Sequence, residues 1–369
     1  MVAVLRELKA RNKNVEIRFW CDRKFAPQAK SIIHRFDPSL RIDTILAGKL
    51  RRYHNLPLWR QLLRPVSIVV PNIRDIFLVI CGFVQSLAKL WLWRPDVVFA
   101  KGGFVCLPVG FAARLLHIPL VIHDSDAYPG LTNRVLAKWA TRIATGAPLK
   151  NYPYPSAISR YVGVPVRSDF VPLDENKRIR VKQMLGFDPK RPLVVITGGG
   201  LGAQRINMAV AKRLSALLDI TSIALISGTD QYDELRAMTP ENDPRFQLHA
   251  FVNDMAHLLG AADVVVARAG ATTILELAAL ARPTILIPNG YLTGGHQLKN
   301  AAVYAESNAV DSIDEHELDS NPQLLVDALT ALLTNKKHLH EMSVAFHRFA
   351  KPLAAEQMAE MIEEAAKKL

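Results

Sequence analysis

Along the 369 residues, apolar positions follow two alternating rhythms. Val2, Val4, Leu5 and Leu8 recur at helical spacing, and VEIRFWC (15–21) then reads as a strand. Short apolar, β-branched runs follow at RIDTIL (41–46), DVVFA (96–100), PLVIHD (119–124) and RIATG (142–146). The second half repeats the rhythm at PLVVITGG (192–199), SIALISG (222–228), FQLHAFV (246–252), DVVVARAG (263–270) and PTILIPNG (283–290). Several of these runs are apolar throughout, as strands buried on both faces are. Helical stretches separate them, such as INMAVAKRLSALL after the glycine run. Strands alternating with helices predict an α/β fold of parallel sheets covered on both sides. The chain itself opens on a helix, whereas a parallel α/β domain ordinarily opens on a strand and a turn.

The length suggests two domains. YVGVPVRSDFVPLDENK (161–177), a short strand followed by prolines and polar residues, reads as the join, and AAEQMAEMIEEAAKKL closes the chain as a helix. Charge divides in the same place. Residues 1–170 hold 26 Lys/Arg against 10 Asp/Glu, and residues 171–369 hold 20 against 24, within a net charge of +12. A basic first half suits anionic lipid, a phosphorylated substrate or nucleic acid, or is simply a solvated surface. No RNA-binding signature, zinc knuckle or aromatic-interleaved basic run supports nucleic acid. Cys21, Cys81 and Cys106 are scattered and odd in number, which fits a reducing compartment and gives no zinc spacing. The charged opening has no signal-peptide apolar core. IRDIFLVICGFVQSLAKLWLWRP (73–95) is apolar all round from Ile76 to Val84 except at Gly82. Asp75, Gln85 and Lys89 argue against a transmembrane span. Two readings remain: a buried crossover helix, or a helix showing an apolar face to a membrane. Arg51, Arg52, Arg60, Arg64 and Arg74 nearby, with Trp91 and Trp93 at its end, suit the second.

Four stretches carry chemistry. In ITGGGLGAQRIN (196–207) a buried strand ends in glycines that open a helix, a place for phosphate or merely a tight turn. It matches neither a Walker loop nor the dinucleotide GxGxxG. VVVARAGATTILELAALARP (264–283) repeats the device: a helix begins near Ala271, Thr272 and Thr273 lie in its first turn, and free N–H groups there suit a pyrophosphate. Glu276, a turn later, is placed to accept bonds from ribose hydroxyls. In PNGYLTGGHQLKNAA (288–302), His296, Gln297 and Asn300 open a helix and either bind sugar hydroxyls or cap it. In residues 101–138, Gly102 and Gly103 follow one strand, and His123, Asp124 and Asp126 follow the next. The carboxylates offer a metal site, a general base or loop capping.

Taken in order, GGF, IPLVIHDSDAYPGLTNR, GVPVR, GGGLGAQ, DVVVARAGATTILELAAL and HQLKNA resemble the MurG family. These are bacterial transferases that add N-acetylglucosamine to undecaprenyl-pyrophosphoryl-N-acetylmuramyl-pentapeptide, turning lipid I into lipid II in peptidoglycan synthesis. The resemblance runs from about residue 1 to 350. It implies a GT-B fold, two Rossmann-like domains facing a cleft. Residues 1–162 would form the acceptor and membrane-binding domain, rejoined by a terminal helix at about 345–369, and residues 163–344 would bind UDP-N-acetylglucosamine. By the same resemblance Arg167 meets a phosphate and Gly200 lies against the nucleotide. Val252 contacts uracil through its backbone. The turn Gly270, Ala271, Thr272, Thr273, Ile274 and Leu275 holds the pyrophosphate, Glu276 the ribose, and Gln297 and Asn300 the donor sugar. The implied reaction inverts the anomeric carbon and requires no metal or cofactor. The partners implied are UDP-N-acetylglucosamine, the lipid acceptor and an anionic membrane surface met by the basic domain and helix 73–93. The implied location is peripheral, on the cytoplasmic membrane face.

The sequence departs from the family pattern in three places. HDSD stands where the family reads HEQN, so Asp126 replaces an Asn and is the candidate base, or else repels donor phosphate. GGGLG replaces GGSQG, so Gly200 stands for a Ser, a change worth on the order of 1 kcal/mol. Family members open with a strand and a GGTGGH-type loop before the helix that here begins near Met1, and residues 1–369 show no counterpart. The expectation is therefore a chain that binds UDP-sugar better than it transfers the sugar. The competing readings are a related GT-B glycolipid glycosyltransferase and a nucleotide- or membrane-binding copy without turnover.

Overall fold

The computed structural model describes residues 1–49, 69–199, 203–290 and 295–367. The chain forms two compact units, Met1–Pro165 with Leu353–Leu369, and Val166–Pro352.

The first unit runs α1 (Val2–Arg11), β1 (Arg18–Cys21), α2 (Ala26–Phe36), β2 (Arg41–Thr44), α3 (Val70–Trp93), β3 (Val98–Ala100), α4 (Cys106–Leu115), β4 (Leu120–Asp124), α5 (Leu131–Leu136), β5 (Arg142–Thr145) and β6 (Ser159–Tyr161). Its strands form a parallel pair, β1-β2, and a parallel four-stranded sheet, β3-β4-β5-β6. The fully apolar runs became the central strands: Val121, Ile122, Ile143 and Ala144 have no exposed surface. Side chains on one face of β3–β5 pack with α3, α4 and α5 through Leu90, Val109, Ala112 and Leu136. On the other face lie Val4 of α1 and Met358, Met361 and Ile362 of the last helix, Ala354–Ala366. Arg11 and Arg142 tie that helix down through Glu363 and Glu364.

The second unit runs α6 (Glu175–Met184), β7 (Leu193–Thr197), α7 (Gln204–Lys212), α8 (Leu214–Ile220), β8 (Ser222–Ile226), α9 (Tyr232–Met238), β9 (Phe246–His249), α10 (Met255–Ala261), β10 (Val264–Ala267), α11 (Ala271–Ala279), β11 (Thr284–Leu286), α12 (His296–Ala305), β12 (Asp311–Ser312), α13 (Glu315–Ser320), α14 (Gln323–Thr334) and α15 (Lys336–His347). Its sheet is parallel, in the order β12-β11-β10-β7-β8-β9. Every residue of β7, β8, β10 and β11 is buried. Asp263 joins three elements: it accepts from Leu193 N–H at 2.7 Å and pairs with the buried Lys182 of α6.

The α3 stretch shows its apolar face outward. Its buried positions are Asp75, Gly82, Ser86 and Leu90. Val70, Ile73, Ile76, Phe77, Ile80, Val84, Trp91 and Leu92 are 51–84 % exposed. At 3.6 residues per turn, the first set falls opposite the run from Ile73 to Trp91. Gly82 lies where a Cβ would strike the Leu46 carbonyl. Gln85 donates to Thr44 C=O at 3.0 Å and accepts from Leu46 N–H at 2.9 Å, and Lys89 pairs with Asp43 at 2.9 Å. The reading of α3 as a buried crossover helix is therefore corrected. A small, polar stripe anchors the helix to β2 and Leu46, and among the described residues the large apolar side chains of its other side are exposed. Arg74 beside it is exposed, while Arg51, Arg52, Arg60 and Arg64 lie outside the described residues.

Candidate functional site

In the second unit, β7 leads by way of β8 to β9 on one side, and β10 leads by way of β11 to β12 on the other. The crest between β7 and β10 is thus the switch point, where open parallel sheets bind ligands at the carboxyl ends of their strands. Gly198 and Gly199 follow β7, with Gly199 at φ 74° and its N–H donating to Thr197 Oγ1 at 3.1 Å. Gly200 lies outside the described residues.

After β10 the loop Arg268–Gly270 is clamped from two sides. The Arg268 guanidinium, buried, donates to Ile287 C=O at 3.1 Å and pairs with the buried Glu315. Asn300 Nδ2 donates to Ala269 C=O at 3.0 Å. The loop delivers the N-terminus of α11 to the crest. Ile274 N–H already bonds Gly270 C=O at 3.0 Å, so the donors not committed to the helix ladder are those of Ala271, Thr272 and Thr273. Ile274 and Leu275 are core side chains, 0 and 2 % exposed. Of the six-residue turn read from the sequence, the N–H donors outside the helix ladder therefore lie in Ala271–Thr273.

Glu276, one turn on, is half-buried, and burial pushes its carboxyl up to about 7, with Arg167 opposing and Asp169 reinforcing the shift. Arg167 is exposed and held by Asp169, donating Nε to Oδ1 at 3.0 Å and Nη2 to Oδ2. That hydrogen bond raises the guanidinium's pKa further, and Glu276 and Asp254 act in the same direction. Asp254 caps α10 and its Oδ2 lies 2.6 Å from His257 Nδ1. Val252 is half-exposed on the loop before it. Gln297 Oε1 accepts from Asn289 N–H at 2.8 Å, tying α12 to the loop after β11.

Sequence reasoning missed Asp169, two residues after Arg167, and Asp254 with His257, whose D-x-x-H spacing is that of a helix cap. It gave Asn300 to the donor sugar, whereas the side chain is 1 % exposed and bonds backbone. Asn300→Ala should therefore lower stability by about 1–2 kcal/mol, since it orphans a buried carbonyl. Thermal unfolding checks this, and an unchanged Tm would return Asn300 to a ligand role.

In the first unit, β3, β4 and β5 end at Lys101–Gly103, Asp124 and Gly146. A Cβ at Gly146 would strike the Ser125 carbonyl, so β5 turns away hard against the 124–130 loop. Asp124 is buried. Its Oδ1 accepts from Asn133 Nδ2 at 2.6 Å and Gly130 N–H at 3.4 Å, and its Oδ2 accepts from the Tyr154 hydroxyl. Burial raises its pKa against those hydrogen bonds. Tyr152 OH donates to Asp126 C=O at 2.6 Å. Asp126 is half-buried. His123 is fully buried, its Nε2 2.9 Å from Gly163 C=O, and desolvation lowers its pKa to about 3, so it is a neutral structural residue. Among the described residues no three His, Cys, Asp or Glu side chains are grouped to hold a metal ion.

Residues 1–145 match the model of the glycosyltransferase family 28 N-terminal domain, and residues 193–358 that of its C-terminal domain. A protein of an Exiguobacterium species named UDP-N-acetylglucosamine–N-acetylmuramyl-(pentapeptide) pyrophosphoryl-undecaprenol N-acetylglucosamine transferase is 34 % identical over 283 residues, 76 % of this chain and 77 % of the relative. One of the same name from Natranaerobius thermophilus is 30 % identical over 372 residues, 98 % of this chain and 95 % of the relative. The crystal structure of Acinetobacter baumannii MurG superposes with a TM-score of 0.71 at 22 % identity, covering 98 % of this chain and 94 % of that one. The fold is GT-B. The chain belongs to the MurG family, within glycosyltransferase family 28.

Proposed function

We propose that this chain transfers N-acetylglucosamine from UDP-N-acetylglucosamine to undecaprenyl-pyrophosphoryl-N-acetylmuramyl-pentapeptide, inverting the anomeric carbon. The observation that carries the reading is the crest of the second unit, where the open N-terminus of α11 stands beside Glu276 and Arg167. In this reading the donor pyrophosphate takes N–H bonds from Ala271, Thr272 and Thr273, and Arg167 turns its guanidinium to the same oxygens. Glu276 receives the ribose hydroxyls, Gln297 a sugar hydroxyl, and the Val252 backbone the uracil. Asn300 positions the loop through Ala269. Charge grows on the pyrophosphate as UDP leaves, so donors fixed before the reaction stabilise the transition state more than the ground state. Asp126 takes the proton of the acceptor 4-hydroxyl. Asp124, with both oxygens already engaged, holds the loop that carries Asp126. The exposed face of α3 seats the basic first unit on the cytoplasmic side of the membrane.

The test is calorimetric titration with UDP-N-acetylglucosamine together with a transfer assay on a lipid I analogue. Binding and transfer are expected. Transfer to diacylglycerol in place of lipid I would overturn the acceptor, and absence of donor binding would overturn the site. Asp169→Ala is a finer probe. The pair is exposed, so stability should change by less than about 1 kcal/mol. Arg167 loses its brace, and donor KM should rise several-fold at nearly constant kcat. An unchanged KM would separate Asp169 from the donor site.

A further inference from the structure

Two helices start at the switch point of the second unit, and a single side chain joins their starts. β7 and β10 pair side by side, with Thr197 against Ala267. Each strand then leads into a helix, α7 after the glycine run and α11 after Arg268–Gly270. Glu315, the first residue of α13, is 1 % exposed and reaches both starts. Its Oε1 accepts from Nη2 of the buried Arg268, in the loop before α11. Its Oε2 lies 3.4 Å from Nη1 of Arg205, the second residue of α7.

The place of Glu315 is itself fixed. β12 pairs with β11 through Asp311 and Ser312. Asp314 caps α13, its Oδ1 accepting from His316 N–H at 2.7 Å and Glu317 N–H at 3.2 Å. Leu318 is buried in the same apolar cluster as Ile206 of α7. A carboxylate held this way is set before any ligand arrives. Beside it a cavity of about 470 Å³ is lined by Arg205, Arg268, Asn289 and Glu315. Apolar packing therefore does not close this side, and charge holds it. Oε2 is buried and makes no hydrogen bond among the described residues, so what it offers Arg205 is charge at short range. Such an attraction is stronger away from water than at the surface. Asp319, whose side chain is 52 % exposed, meets Arg205 Nε at 3.2 Å and contributes less.

We propose that Glu315 is a positioning residue for the donor pyrophosphate. It touches no substrate. It fixes the opening of α7 and the loop before α11 to each other, so that the N–H groups of Ala271, Thr272 and Thr273 stand ready for the phosphates. The role rests on the reading of this crest as the donor site. Donors aligned beforehand stabilise a leaving group that gains charge more than donors that must first be gathered. Glu276 sits further along α11, where Ile274, Leu275 and Leu277 anchor the helix in the core. Recognition of uridine alone therefore does not depend on the clamp.

Arg205→Met in the full chain keeps the buried Arg268–Glu315 pair and cuts only the link to α7. The variant should stay folded, with a Tm within about 3 °C of the native chain. Native-state amide exchange should quicken several-fold at Ile274, whose N–H closes the first turn of α11, as well as at Asn207 in α7. UDP should bind about 10-fold more weakly by calorimetry, while uridine, followed by saturation-transfer NMR, binds as before. Arg205→Lys, which returns a charge to Oε2, should recover most of the loss. Glu315→Gln should repeat the pattern more strongly and at a lower Tm, since it leaves Arg268 buried without its counter-charge. Unchanged exchange at Ile274 in Arg205→Met would overturn the clamp, and so would equal losses for UDP and uridine. A native chain that shows the exchange coupling but binds no UDP would instead overturn the donor-site reading and the role built on it.

Discussion

Replacing Glu276 by glutamine (Glu276→Gln) should abolish a pH dependence that the native chain shows both in stability and in donor binding. Burial holds this carboxyl near 7 against an ordinary value of 4.5. Between those two values the folded chain keeps a proton that the unfolded chain has released. Folding is then favoured at the acid end and loses stability as pH rises through about 7. A shift of that size corresponds to roughly 3 kcal/mol. Glutamine has no proton to lose, so the variant should match the native chain near pH 4.5 and gain on it up to pH 7, with the difference constant above. Donor binding should move the other way. Ribose hydroxyls donate, and only the ionised carboxylate accepts from both, so native affinity for UDP-N-acetylglucosamine should climb from pH 6 to 8. Glu276→Gln should bind about 10–100-fold more weakly at pH 8, the value of one charged hydrogen bond, with a flat profile. Denaturant midpoints and titration calorimetry across that range check both signs. Parallel native and variant curves would place Glu276 outside the site.

The architecture was legible because its signal is local. Runs such as LVVI (193–196) and IALI (223–226) are apolar at each position, and strands covered on both faces read that way. The openings of α11 and α12 were legible too, through a small-residue turn before Ala271 and glycine before His296. β12 was missed because a two-residue strand has no period to detect. The site was legible as a set of positions and less so as roles. Asn300 and His123 are polar residues at promising places, and each also bonds a distant backbone carbonyl. What decides this is a partner 31 or 40 residues away, which no spacing rule reaches. Arg167 was found without its brace, and Glu276 without the burial that shifts its pKa.

The α3 helix shows why the remainder could not be read, and it carries the largest expected effect. A hydrophobic run is ordinarily assigned its buried side by its apolar residues. Here Gly82, Ser86, Gln85 and Lys89 face or grip the protein, because β2 offers the Thr44 carbonyl and Asp43, and Leu46 just beyond it an N–H, in place of an apolar groove. What remains outside is a file of large side chains spaced by three and four residues, on a unit rich in Lys and Arg. Water is a poor neighbour for that file, and the acyl boundary of an anionic bilayer suits both its apolarity and the charge around it. Ile73→Glu, Phe77→Glu and Ile80→Glu in one chain should leave the fold intact, since each native side chain is more than half exposed. Each change forfeits about 1.5 kcal/mol of apolar transfer and adds a charge of the membrane's own sign, so partitioning into phosphatidylglycerol vesicles should fall at least ~10³-fold. Donor binding in solution should not change. Transfer to a lipid acceptor in vesicles should collapse, while transfer to a short-chain soluble analogue survives. Co-sedimentation of the triple variant at the native level would show that the outward face of α3 answers to something other than lipid.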